Sequence, residues 1–281
     1  MNIPPYWSRM VENGCAATGW SFVSASDAER VARENARQIA ARLASGGLDS
    51  RGRSYYLDRP MREPIIREFR DAEGERNAVI TRNAYGCSVL NTARMLFVDV
   101  DLSPPPQQAS LGSFFGRLFG KKPDPTPVPS ESATLAQAEA WARSCAPWRW
   151  RVYRTKAGLR FMAVHTRFEH SNPVVQRVFD ALGADPLYRK LCTVQKCFRA
   201  RLTPKPWRCG HHSLSVHWPF AHAEAARAFD EWQRAYAERS QGWRTCELIS
   251  EIGDATRDPA LAELIATHDE STRIDAKLPL A

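Results

Sequence analysis

The sequence predicts an α+β fold centred on a β-α-β-β-α-β string that forms an antiparallel sheet, with α/β elements before it and helices after it. Three observations predict this. In residues 95–102, Met-Leu-Phe-Val-Asp-Val-Asp-Leu, a period of two leaves one face wholly apolar and puts both carboxylates on the other, which is the pattern of a strand. Lys156-Ala157-Gly158 separates two further strand-like runs, as a hairpin turn would. Pro173 and Gly183 bracket an apolar periodic stretch, as the first turn and the end of a helix would.

Taken in order, residues 26–44 predict a helix. Ser26 or Asp27 is placed to cap it, Val31, Ile39 and Leu43 fall on one face, and Gly46-Gly47 ends it. Residues 53–92 are strand-rich, with Ala78–Thr81 and Cys87–Leu90 separated by Tyr85-Gly86. In the 95–102 strand, Leu96, Val98, Val100 and Leu102 form one face; Met95, Phe97, Asp99 and Asp101 form the other. Residues 103–131 are rich in proline and read as a disordered insertion rooted next to Asp101, with a short amphipathic run, Phe114–Phe119, and the pair Lys121-Lys122 inside it. A helix over 133–145, strands over Trp148–Thr155 and Leu159–Thr166, a helix over Asn172–Leu182, a short helix after Asp185-Pro186 and a strand over Lys196–Leu202 follow. Helices over Ala223–Tyr236 and Pro259–His268 complete the chain, and no internal repeat is present. The resulting division is an N-terminal helix and strand-rich region (1–90), a core with its insertion (91–219) and a C-terminal helical segment (220–281).

The string is the split βαβ order, the ferredoxin- or RRM-like arrangement. Right-handed crossovers would then set the first strand between the third and the fourth. Asp99 and Asp101 would lie beside Arg160 and Arg199, with Lys156 in the hairpin at the same edge. If Phe198, Ala200 and Leu202 face the helices, Arg199 and Arg201 share the open face with the aspartates. The same alternation puts Arg151, Tyr153 and Arg160 on that face.

With 39 Lys and Arg against 31 Asp and Glu, the net charge of +8 favours anionic partners, a nucleotide or nucleic acid. No apolar run approaches the length of a membrane span, and Met1–Trp20 lacks the pattern of a secretory signal. Seven scattered cysteines, an odd count, suggest reduced thiols and a cytoplasmic protein. Two carboxylates at i and i+2 suit Mg²⁺ or Mn²⁺, and neighbouring arginines suit phosphate oxygens. The expected metal ligands are Asp99 and Asp101, with Arg160 as a third catalytic group. The expected phosphate or nucleotide contacts are Lys156, Arg199, Arg201, Lys205 and Arg208, with Tyr153 and Trp207 as stacking rings. The alternative reading is a structural ion network, with the aspartates paired to Arg160 and Arg199. Cys192, Cys197, Cys209, His211 and His212 lack the tight spacing of a zinc site, so zinc is not expected. No P-loop, G-x-G-x-x-G or Ser-His-Asp arrangement points elsewhere.

An Asp-x-Asp closing the first strand of such a core resembles the archaeo-eukaryotic primase superfamily, which includes primase-polymerases, over about residues 91–205. Thr155–Arg160 occupies the place of the family's turn motif, with Arg160 near where its phosphate-contacting histidine would be. Asp180 and Asp185 follow in the order of its third, acidic motif. The resemblance implies metal-dependent nucleotidyl transfer on nucleoside triphosphates or nucleic acid. The alternative is a non-catalytic RRM-like module that binds nucleic acid or nucleotide.

Overall fold

The structure is a computed structural model that describes residues 1–46, 60–102, 130–145 and 147–281. Strands β1 (Tyr6–Glu12) and β2 (Cys15–Ser21) form an antiparallel hairpin. Asn13 and Gly14 both adopt positive φ at its tip (49° and 74°), the conformation of a tight two-residue hairpin turn and one that Asn and Gly tolerate best. Helix α1 (Ala25–Ala44) lies across this hairpin. Its cap is Ser24, whose hydroxyl accepts from the Asp27 amide, not Ser26 or Asp27. The buried face is also not the one expected: Ala28, Ala32 and Ala36 are buried and Leu43 is exposed. Gly19 of β2 is the reason. A Cβ there would lie 2.3 Å from the Ala32 amide nitrogen, so strand and helix backbones touch and only small side chains fit between them.

The remainder forms two four-stranded antiparallel sheets. One has the order β10-β7-β8-β6, from β6 (Phe97–Asp101), β7 (Trp150–Thr155), β8 (Gly158–Ala163) and β10 (Cys246–Ile252). The other has the order β3-β4-β5-β9, from β3 (Ile65–Arg70), β4 (Arg76–Arg82), β5 (Ser88–Thr92) and β9 (Phe198–Arg201). Helix α2 (Glu131–Ser144) links β6 to β7. Helices α3 (Pro173–Leu182) and α4 (Pro186–Gln195) link β8 to β9. Asn172 and Asp185 cap α3 and α4, each followed by proline, and Gly183 ends α3 in the left-handed conformation (φ 68°). Helices α5 (Ala223–Ser240) and α6 (Ala262–Thr272) flank β10.

The fold is thus α+β with antiparallel sheets, and the expected β-α-β-β-α-β order of elements is present, with two helices before β9. The spatial order differs from the ferredoxin-like one. Strand β9 hydrogen-bonds to β5, from Val89–Arg201 to Thr92–Phe198, and not to β6. The far edge is taken by β10, a strand the sequence reading did not contain. All six residues of β8 are buried, because helices cover both faces of its sheet. The insertion at 103–131 lies outside the described residues, except that Ser130 caps α2 and Glu131 opens it.

Candidate functional site

The alternation along β6, β7 and β8 does place Asp99, Arg160 and Tyr153 side by side, in register across three strands. That face is not open. Helix α6 lies on it, and its His268 ring sits 4.7 Å from Tyr153 and 5.5 Å from Phe97, centroid to centroid. Tyr153 is wholly buried: its hydroxyl donates to Asp269 Oδ1 at 2.7 Å and accepts from Arg151 Nε at 2.8 Å. Arg151 also donates to Asp269 Oδ2 and Glu251 Oε1. Tyr153 is therefore no stacking ring.

Arg160 is 2% exposed and grips Asp99 with both arms of its fork, Nε to Oδ1 at 2.8 Å and Nη2 to Oδ2 at 3.1 Å. Its Nη1 donates to the Arg201 carbonyl at 3.0 Å and lies 3.4 Å from His268 Nε2. Burial alone would lower the Arg160 pKa, but the Asp99 carboxylate more than offsets this and holds it above the ordinary value. Burial pushes His268 down to about 4, so the ring is neutral, with Nδ1 donating to Asp269 Oδ1 at 3.0 Å. Half of the structural-network alternative thus holds: Asp99 pairs with Arg160. Arg199 does not join it. On β9, in the other sheet, it is buried against Glu63, with Nη2 3.0 and 3.1 Å from the two carboxylate oxygens. Neither Arg160 nor Arg199 presents its guanidinium to solvent: Arg160 is turned inward to the half-buried Asp99 carboxylate and Arg199 to the buried Glu63 carboxylate.

Two residues further along β6 the environment changes. Asp101 pairs with Gly158, and the Leu102 amide donates to the Ala157 carbonyl, so the hairpin carrying exposed Lys156 sits at this edge as expected. A Cβ at Gly158 would lie 1.9 Å from the Val100 carbonyl oxygen; only glycine lets the turn close on β6. The Asp101 pKa is raised, first by partial burial and then by the Asp185 and Asp99 carboxylates, while Lys205 and Arg208 pull it down. Asp185, reached in the sequence by order alone, is brought here because its amide donates to the Asp99 carbonyl at 3.0 Å.

Arg201, Lys205 and Arg208 complete the edge. Burial and then the charges of Arg201 and Arg208 lower the Lys205 pKa; burial and then Arg201 lower that of Arg208. The three cations are therefore close enough to repel one another. Nη1 of Arg201 and Nη1 of Arg208 are buried and meet no hydrogen-bond partner among the described residues. The loop that carries them is held firmly. Thr203 Oγ1 accepts from the Ser88 amide at 2.9 Å, and the Pro204 carbonyl accepts from Tyr236 Oη at 2.6 Å and from Cys87 Sγ at 3.2 Å. A single 3₁₀ turn, Pro206–Arg208, then projects Trp207 into solvent and turns Arg208 back to the cluster.

Among the described residues no group of three or more His, Cys, Asp or Glu side chains is arranged to hold a metal ion. Cys192, Cys197 and Cys209 are buried thiols; His211 stacks on Tyr236 and packs at a tilt against Trp232. No helix is long and apolar enough to cross a membrane among the described residues. Comparison with family models, with curated proteins and with solved structures finds no match to this chain.

The sequence reading missed His268, Asp269 and Glu63, the partners that bury Tyr153, Arg160 and Arg199. Nothing in a lone His-Asp pair on a C-terminal helix signals that it covers a sheet face. It also missed Tyr85 as a neighbour of Trp207, although Tyr85-Gly86 stood out as a turn.

Proposed function

We propose that this chain binds the phosphates of a nucleotide or nucleic acid where the ends of β6 and β9 meet, and that it does so in a metal-dependent, primase-polymerase-like manner. One observation carries the reading: Arg201, Lys205 and Arg208 crowd together with two guanidinium nitrogens buried and unpartnered. Mutual repulsion and unmet hydrogen bonding both cost free energy, and a phosphate would relieve both. The raised Asp101 pKa marks a carboxylate whose charge is incompletely compensated beside this cluster, as perturbed groups at functional sites often are.

Asp101 suits one coordination position of Mg²⁺ or Mn²⁺; Asp99 has both oxygens engaged by Arg160. Such a set fits an ion that arrives with phosphate oxygens better than one held by the protein alone. An ion bound there would neutralise charge on the phosphates during nucleotidyl transfer. Arg201 and Arg208 would orient the phosphates by bidentate donation, Lys205 would act as a point charge, and Lys156 would approach from the hairpin. The commitment of Asp99 to Arg160 favours a second reading, in which the same cluster binds nucleotide or nucleic acid without turnover.

Isothermal titration of a nucleoside triphosphate, with Mg²⁺, with Mn²⁺ and with EDTA, tests the proposal. Arg201→Gln/Arg208→Gln is expected to lose binding under every condition, and unchanged affinity in that variant would sink the phosphate reading. Affinity that rises with metal, together with incorporation of label from a triphosphate into product, supports transfer. Equal affinity in EDTA with no product supports the binding module.

A further inference from the structure

We infer that Tyr85 and Trp207 form a base-stacking shelf that selects single-stranded nucleic acid, with a backbone phosphate held by Arg201, Lys205 and Arg208. The inference rests on the phosphate reading above and specifies its ligand. Tyr85 and Trp207 come from different sheet connections, the β4–β5 turn and the loop after β9, yet their rings meet edge to face with centroids 5.3 Å apart. Both remain open to solvent, Tyr85 at 47% and Trp207 at 48%. Lys205 Nζ lies 5.5 Å from the centre of the Trp207 ring, which ties the shelf to the cationic cluster.

The exposure is not that of floppy side chains. Asn83 Oδ1 accepts from the amides of Tyr85 and Cys87, and the Asn83 amide donates to the Cys87 carbonyl at 2.9 Å. Gly86 has φ +95°, and a Cβ there would fall 2.0 Å from the Trp232 ring, so this turn is pressed against α5. On the other side the Arg208 amide donates to the Lys205 carbonyl, and the Cys209 and His211 amides donate to the Pro206 carbonyl. Two large rings are thus held at the surface on rigid backbone, and Trp207 stands one residue from Arg208 and two from Lys205. That combination of fixed aromatic faces and adjacent phosphate donors is the chemistry of single-strand binding, in which bases stack without sequence readout. A duplex keeps its base faces stacked internally and cannot offer them to the shelf. Free inorganic phosphate has none to offer.

Fluorescence anisotropy with labelled strands tests this. The probes are oligothymidylate, oligouridylate, an abasic strand with the same number of phosphates, and a blunt duplex. Stacking is worth about 1–3 kcal/mol per base, so the wild-type chain is expected to bind a base-bearing strand at least about fivefold more tightly than the abasic one. Trp207→Ala and Tyr85→Ala are expected to erase that preference while leaving abasic-strand affinity and its salt dependence unchanged; Trp207→Phe is expected to keep most of it. Equal binding of base-bearing and abasic strands by the wild type, or a preference surviving in both alanine variants, overturns the shelf and leaves the phosphate site standing. Duplex bound as tightly as single strand overturns the selectivity. Absence of binding to every strand, abasic included, overturns the shelf together with a nucleic-acid ligand, while triphosphate titration reports the phosphate site separately.

Discussion

Replacing Asp99 by Asn should destabilise the protein more than replacing Arg160 by Met, although the two residues form one ion pair. The Arg160 side chain is 2% exposed and that of Asp99 is 33% exposed. Asp99→Asn leaves a guanidinium sealed in the interior with only neutral partners, the Arg201 carbonyl and His268 Nε2. Breaking a buried pair in this way costs about 3–5 kcal/mol. Arg160→Met leaves a carboxylate that water reaches over a third of its surface, so its solvation is partly restored. The methionine fills most of the vacated space, and the expected cost is about 1–3 kcal/mol, mainly lost charge-assisted hydrogen bonds. The double variant should recover much of the loss, because no lone charge remains. Urea unfolding of the four proteins, read as a double-mutant cycle, measures all three quantities. If Arg160→Met proves the costlier single change, or Asp99→Asn falls within about 1 kcal/mol of wild type, the reasoning from buried guanidinium to structural pair is refuted.

Asp101→Asn should behave in the opposite way. Its pKa is raised in the folded state, so its ionisation at neutral pH opposes folding, and the variant should unfold at an equal or higher temperature while losing metal-dependent triphosphate affinity by calorimetry. Gly158→Ala should cost more than about 2 kcal/mol in thermal or urea unfolding, because its Cβ would fall 1.9 Å from the Val100 carbonyl oxygen with backbone on both sides. Stability should fall as pH drops from 6.5 towards 4. His268 is neutral in the fold down to about 4, whereas the unfolded chain takes up its proton near 6.5, so the unfolded state binds more protons across that window. The full effect is about 3 kcal/mol, and His268→Gln should flatten the urea-derived stability profile over that range by a comparable amount.

The parts of the fold legible in the sequence are those with a local physical signature. The strand ending in Asp99 and Asp101, the hairpin at Gly158 and the helix between Pro173 and Gly183 each declare themselves by period or by backbone-restricted residues. The β1–β2 hairpin is equally legible: Asn13-Gly14 between two strands is a strong short-range turn signal. Strand β10 was not legible, since Leu248 and Ile249 stand next to each other between Glu247 and Ser250-Glu251 without alternation, and its place is set by pairing with β7. The expected open face failed for a reason outside local sequence. Alternation fixes which side a residue faces, but whether a helix from more than a hundred residues away covers that side is decided by packing. The position of β9 failed likewise: a four-residue strand satisfies either edge locally, and the choice of β5 over β6 is made by long-range contacts such as Arg199 with Glu63.

Arg160 connects the two halves of this result. Its guanidinium reaches Asp99 on β6 and the Arg201 carbonyl on β9, strands that belong to different sheets and share no ladder. Beside that clamp stand groups of opposite charge, Asp101 two residues further along β6 and the side chain of Arg201 itself at the end of β9. The clamp therefore fixes the separation of the acidic and basic sides of the candidate site without itself touching a ligand. A guanidinium suits that task because its planar fork satisfies a carboxylate with two arms and has a third nitrogen left for a carbonyl. A lysine at the same position could not hold both strands with fixed geometry. Arg160, buried and committed to Asp99 and the Arg201 carbonyl, is on this geometry a positioning residue. The proposed phosphate contact falls instead to Arg201 and Arg208, each with a buried Nη1 that meets no hydrogen-bond partner among the described residues, and to Lys205 beside them.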